Sequence, residues 1–173
     1  MVLHQTILAF FLIGIKRNKT MTDNNETNPQ LQELITPILE KAGGELTSEN
    51  MSKLNSDEIT LLAYSILRRE LLEGGFVQLI QNGYGPFIFL NPFAKALRLW
   101  GAKDFSKWIY DARSIFEETR GVLERPTQSD EEFMGLYEQY PEWDEFDDYF
   151  IEMEPETTSL ICNLYRNLTK NNG

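Results

Sequence analysis

From Pro126 to Tyr165 the chain carries twelve carboxylates and no Lys or Arg. A stretch of that charge normally stays solvated, because self-repulsion opposes collapse and there is little apolar surface to bury. Here Phe133, Met134, Leu136, Tyr137, Tyr140, Trp143, Phe146, Tyr149, Phe150, Ile151 and Met153 stand among the acids. Any fold of this segment must hide the aromatic residues while leaving the carboxylates in water, and amphipathic helices do that. Trp143, Phe146, Phe150 and Met153 fall at i, i+3, i+7 and i+10, one stripe of a helix over residues 142–154. Ser129 and Glu132 read as a capping box, and Asp130, Glu131 and Glu132 place negative charge at the positive end of a preceding helix.

The rest of the chain is almost neutral. The protein has 27 Asp+Glu against 16 Lys+Arg, a net charge of −11, and removing the twelve acids of this segment leaves 15 against 16. A pI near 4.6 opposes direct binding to nucleic acid or to an anionic membrane, and favours a basic partner. At 173 residues one domain with a substantial core is expected. A single cysteine, Cys162, and a single histidine, His4, exclude an intrachain disulfide and a Cys/His zinc site, so no metal or other cofactor is expected.

The apolar run Thr6–Ile15 is too short to span a bilayer as a helix. Its basic residues, Lys16, Arg17 and Lys19, follow it, whereas a secretory signal carries them in front. Residues 1–28 therefore read as a poorly structured leader with Met21 as a candidate start, and the protein as cytoplasmic.

Residues 29–169 read as an all-α domain of six to eight helices ending in an acidic C-terminal pair, with 170–173 as a tail. Asn28-Pro29 opens a helix carrying Leu31, Leu34, Ile35, Ile38 and Leu39, which Pro37 should kink or shorten and Gly43-Gly44 should end. Asn55 and Glu58 form a capping box, with Leu54 and Ile59 as the hydrophobic staple, for a helix running to Gly74-Gly75. A short helix, Phe76 to Asn82, should follow. Asn91-Pro92 caps another helix closed by Gly101, and Asp104 opens an amphipathic one through Phe116. Phe87 to Leu90 is ambiguous. Pro155 should separate the acidic helix from a final one carrying Leu160, Ile161, Leu164, Tyr165 and Leu168.

Catalytic motifs fail on inspection. Gly83-Tyr84-Gly85 has Ile88 where a phosphate loop needs its third glycine. Asp144-Glu145-Phe146-Asp147-Asp148 lacks the central glycine of a calcium loop, and a helix fans its carboxylates outward. Cys162 beside Ile161 reads as a core thiol, and no hydroxyl can be paired with a histidine base outside the leader. No catalytic residue is assigned, and the chain reads as a non-enzyme. In Glu70, Gly74, Gly75, Phe76, Gln78, Asn82 and Gly83, two glycines let one helix turn into another, Phe76 plugs the junction, and the polar side chains satisfy backbone groups exposed by the break.

That E-x-x-x-G-G-F-x-Q-x-x-x-N-G pattern resembles a family of small, acidic, all-helical bacterial proteins whose characterised member is a DNA mimic. Ala94, Leu97, Gly101 and Ala102 and the segment Trp143 to Phe150 extend the likeness to about residues 54–165, although Glu73 stands where the family more often has Asn. The resemblance implies an all-α fold, a homodimer, no cofactor, and occupation of a transcription factor's DNA-binding surface. Charge placement leads independently to a basic, DNA-binding protein as partner, docking on Asp130, Glu131, Glu132, Glu138, Glu142, Asp144, Glu145, Asp147, Asp148 and Glu152. Two other readings stay open: an immunity or antitoxin protein against a basic nuclease, and a structural or scaffold domain whose acidic face only solubilises it.

Overall fold

Ser56–Gln81 is apolar on nearly every face, with Leu61, Leu62, Ala63, Tyr64, Ile66 and Leu67 buried in close succession, and such a helix has to be enclosed by others. A computed structural model describing residues 28–44 and 47–173 shows this enclosure. The described residues form an all-α domain of eight helices and no strand, as the periodicity predicts. In chain order these are α1 (Pro29–Lys41), α2 (Ser48–Met51), α3 (Ser56–Gln81), α4 (Gly85–Phe89), α5 (Phe93–Trp100), α6 (Lys103–Leu123), α7 (Asp130–Gln139) and α8 (Asp144–Asn171). A 3-10 turn, Pro141–Trp143, joins the last two. Helices α1, α4, α5, α6 and α8 all pack on α3. The predicted leader, including the Met21 start, lies outside the described residues apart from Asn28.

Local chemistry explains most of the helix starts. Asn28 accepts from the Leu31 N–H at 3.0 Å, Asn55 and Glu58 complete their reciprocal box, and Asn91 accepts from the Phe93 N–H at 2.9 Å. Ser129 accepts from the Glu132 N–H at 3.1 Å, but Glu132 reaches back to the N–H of Gln128 rather than to that of Ser129. Thr47 caps the short α2, which the periodicity does not reveal because four residues hold barely one turn.

Neither proline ends its helix. Helix α1 runs through Pro37, and α8 runs unbroken through Pro155, so the expected acidic and C-terminal helices are one helix of 28 residues reaching into the expected tail. A proline in a helix strands the carbonyl four residues earlier. Those carbonyls belong to Glu33 and Ile151, both exposed like the prolines themselves, so each helix can leave one carbonyl unbonded on its solvent side.

At Gly75 the backbone leaves helical geometry for one residue, with φ 74° and ψ −171°, before α3 resumes. Phe76 then plunges into the core, its ring 4.6 Å from Trp143, 5.6 Å from Trp108 and 5.8 Å from Phe89 between centroids. Trp108 also stacks on Phe150 at 5.9 Å, which fixes α6 against α8. The aromatic stripe of the acidic segment is thus the part of the core that holds α8 in place.

Candidate functional site

Nine of the ten predicted binding carboxylates are exposed: Asp130, Glu131, Glu132 and Glu138 on α7, Glu142 in the turn, and Asp144, Glu145, Asp148 and Glu152 on α8. Among the described residues none of these nine forms an ion pair with Lys or Arg. At 100° per residue Asp144, Asp148, Glu152, Glu145 and the exposed Glu156 occupy one arc of α8, with Ile151 on one border and Tyr149 on the other. Those five acids are spread over about 18 Å of helix, a mean rise of about 4.5 Å from one charge to the next. The row is rigid because the opposite face carries the buried Trp143 and Phe150.

Asp147 departs from this set. Its side chain turns inward and accepts from the Phe76 N–H at 2.9 Å, the donor that the break at Gly75 deprives of a helical partner. From α7, Tyr137 donates to the carbonyl of Gly74 at 2.6 Å. Two helices of the acidic segment thus satisfy the two polar groups on either side of the break, and the glycine motif is the socket into which that segment docks. Replacing Tyr137 by Phe should lower stability by about 1 kcal/mol, read as a reduced urea midpoint, because the Gly74 carbonyl then has no protein donor there.

The motif's other polar groups join one another rather than the backbone. Glu70, nearly fully buried, accepts from Asn82 at 2.7 Å, Gln78 at 3.1 Å and Arg69 at 3.0 Å. Asn82 and Gln78 come from beyond the break, so this cluster clamps the two parts of α3 to each other.

A second inward link, absent from the sequence reading, lies two turns along α8. Glu154 is buried and paired with Arg68 of α3 at 2.5 Å. Thr158 donates its single proton to Glu154 at 2.7 Å, so Tyr64, 2.7 Å away, must donate to Thr158. Burial pushes the Tyr64 hydroxyl well above its ordinary range. A signal for these contacts exists in the sequence: Asp147, Glu154 and Ile161 are spaced by sevens on the stripe that faces α3.

Burial raises the Asp147 carboxyl from the usual carboxylate range to about 7, with Asp144 and Asp148 adding to the effect and the Phe76 N–H opposing it. Burial, then Asp147 and Glu70, raise Tyr137 to about 12. An acid that holds its proton more tightly when folded stabilises the fold below that higher value, and the contribution is lost as pH rises through it. Stability should therefore be greater at pH 5.5 than at pH 8 by about 2 kcal/mol, and Asp147→Asn should flatten the profile. Urea unfolding at the two values checks this.

No helix among the described residues is long and apolar enough to cross a membrane, and no cluster of three or more His, Cys, Asp or Glu among them is placed to hold a metal ion. Cys162 is a buried free thiol. The family model described as DMP19-like protein matches residues 52–171. The chain is 33% identical over 137 residues to the DNA mimic protein DMP19 of Neisseria meningitidis serogroup B (strain ATCC BAA-335 / MC58), covering 79% of this chain and 82% of that protein.

Proposed function

The chain belongs to the DMP19-like protein family, and on that premise we propose that it is a non-catalytic DNA mimic that occupies the DNA-binding surface of a basic protein in the cytoplasm. The observation that carries the reading is the row of exposed, unpaired carboxylates on α8. Its mean axial spacing of about 4.5 Å between charges is somewhat wider than, but of the same order as, the single-strand spacing of B-DNA, one phosphate per 3.4 Å of axis. A surface of Lys and Arg arranged to meet phosphates meets here fixed carboxylates at similar density, and both acids of a pair can engage an arginine fork. The finer expectation is that the partner is a transcription factor, released from its operator when this chain binds.

Affinity capture from the host at low salt, followed by testing whether the captured protein binds DNA and whether this chain displaces that DNA, is the direct test. A salt-sensitive DNA-binding protein displaced from DNA is the expected result, because exposed charges are screened within about 8 Å at physiological ionic strength. Capture of a basic nuclease whose activity is blocked would favour the immunity or antitoxin reading. A partner held equally well at high salt would overturn mimicry in favour of an apolar interface.

A further inference from the structure

Asp147 differs from every other carboxylate that turns inward along the α3–α8 seam. Glu154, seven residues further on, has Arg68, whereas among the described residues no Lys or Arg pairs with Asp147. It accepts a hydrogen bond from the Phe76 N–H, and Gly75 lies so close that a methyl group built there would overlap the carboxylate. The ionisable groups facing it are anionic or neutral: Asp144 and Asp148 on its own helix, Tyr137 on α7, and beyond Tyr137 the buried Glu70 of α3, whose neighbour Arg69 is engaged by Glu70 and Tyr84. Asp144 and Asp148, the two acids that act on Asp147, belong to the exposed row. The charge that a partner neutralises is therefore the charge that disfavours ionisation of the group in the socket.

We propose that Asp147 couples occupancy of the acidic face to a proton: cations seated on Asp144 and Asp148 drive Asp147 to ionise, its carboxyl proton passes to the buffer, and the resulting carboxylate tightens on the Phe76 N–H. The inference rests on the proposed use of the α8 face for a cationic partner. Its sign follows from linkage. Binding releases a proton only where the free protein still holds one, so affinity should rise with pH through the neutral range and level off once Asp147 is ionised in the free protein as well. The retained proton fits the direction in which burial moves this carboxyl. Little else competes in this window, since the chain has one histidine, His4, and ordinary carboxylates titrate near 4.

The test uses the full chain and a synthetic deca-arginine peptide blocked by N-terminal acetylation and C-terminal amidation, so that only guanidinium groups remain and none titrates in this range. Calorimetry at pH 6.5 in two buffers of different ionisation enthalpy should give a net release of about half a proton or more per peptide, falling towards zero at pH 8.5. Asp147→Asn should bind the peptide within about threefold of the parent at pH 8.5 and release no proton at pH 6.5. Because that variant also alters the socket, the Asp147 carboxyl carbon is followed by NMR in the unmodified protein, where its titration midpoint should fall when peptide is added. Peptide binding without proton release, or with an unmoved midpoint, overturns the coupling and leaves the proposed face standing. Failure of the peptide to bind at low salt overturns both.

Discussion

Neutralising Asp144, Glu145, Asp148 and Glu152 together as Asn, Gln, Asn and Gln is expected to weaken binding to the DNA-binding partner by roughly 30- to 1000-fold. The magnitude follows from about 0.5–1 kcal/mol for each exposed charge contact, summed over four. The far-ultraviolet circular dichroism signal should be unchanged, because all four side chains are exposed and none is ion-paired with Lys or Arg among the described residues. Two opposing small terms act on the fold: like-charge repulsion is relieved, while Asp144 and Glu145 no longer favour the positive end of α8, at a few tenths of a kcal/mol each. Asp147 is left intact, since changing it would disturb the socket and confuse loss of the face with loss of its support. The control is a set of equal charge elsewhere, Glu40, Glu49, Asp104 and Glu118, all exposed. Neutralising these should cost less than about fivefold, because charges outside the docking row act on a partner only through the salt-screened general field. Equal losses in the two sets would mean that net charge, not a placed row, attracts the partner.

That experiment depends on a distinction only partly legible in the sequence. The helical architecture is readable because periodicity, capping residues and glycine stops agree along most of the chain, as at Asn55 with Glu58 and at Gly101, which closes α5 with φ 110°. The face of α8 is readable for the same reason, since Trp143 and Phe150 define the inward direction. Depth is not readable at the margin of such a stripe. Asp147 and Asp148 are adjacent acids, yet a 100° rotation sends one into the socket and the other into water. Nor does the pattern show where a break in one helix will find its donors and acceptors. Gly74-Gly75 announces that backbone groups will be orphaned, but the groups that satisfy them, Tyr137 and Asp147, are supplied from more than sixty residues away. Pro155 misleads for a simpler reason: its effect depends on whether the stranded carbonyl is wet, and only the folded arrangement decides that.

Gly75→Ala is expected to be the most damaging single substitution in the socket, lowering stability by about 3–5 kcal/mol and the thermal midpoint by on the order of 10 °C. Two separable causes act at this position. With φ 74° and ψ −171°, the backbone lies in a region that side chains with a Cβ essentially do not occupy, which alone costs about 1–3 kcal/mol. The added methyl would also overlap the Asp147 carboxylate and force it from the Phe76 N–H, leaving that donor unpaired at a further cost of about 1–3 kcal/mol. Gly75→Ala combined with Asp147→Ala separates them. Removing the carboxylate relieves the overlap but not the backbone, so the double variant should be less destabilised than the sum of the single ones by about 1–2 kcal/mol, and still less stable than Asp147→Ala alone. Strict additivity would show that Gly75 and Asp147 do not act as one device. The double variant should keep α8 helical but loosen its docking, and because the carboxylate row is fixed only through that docking, its affinity for the partner should fall although no exposed acid has been touched.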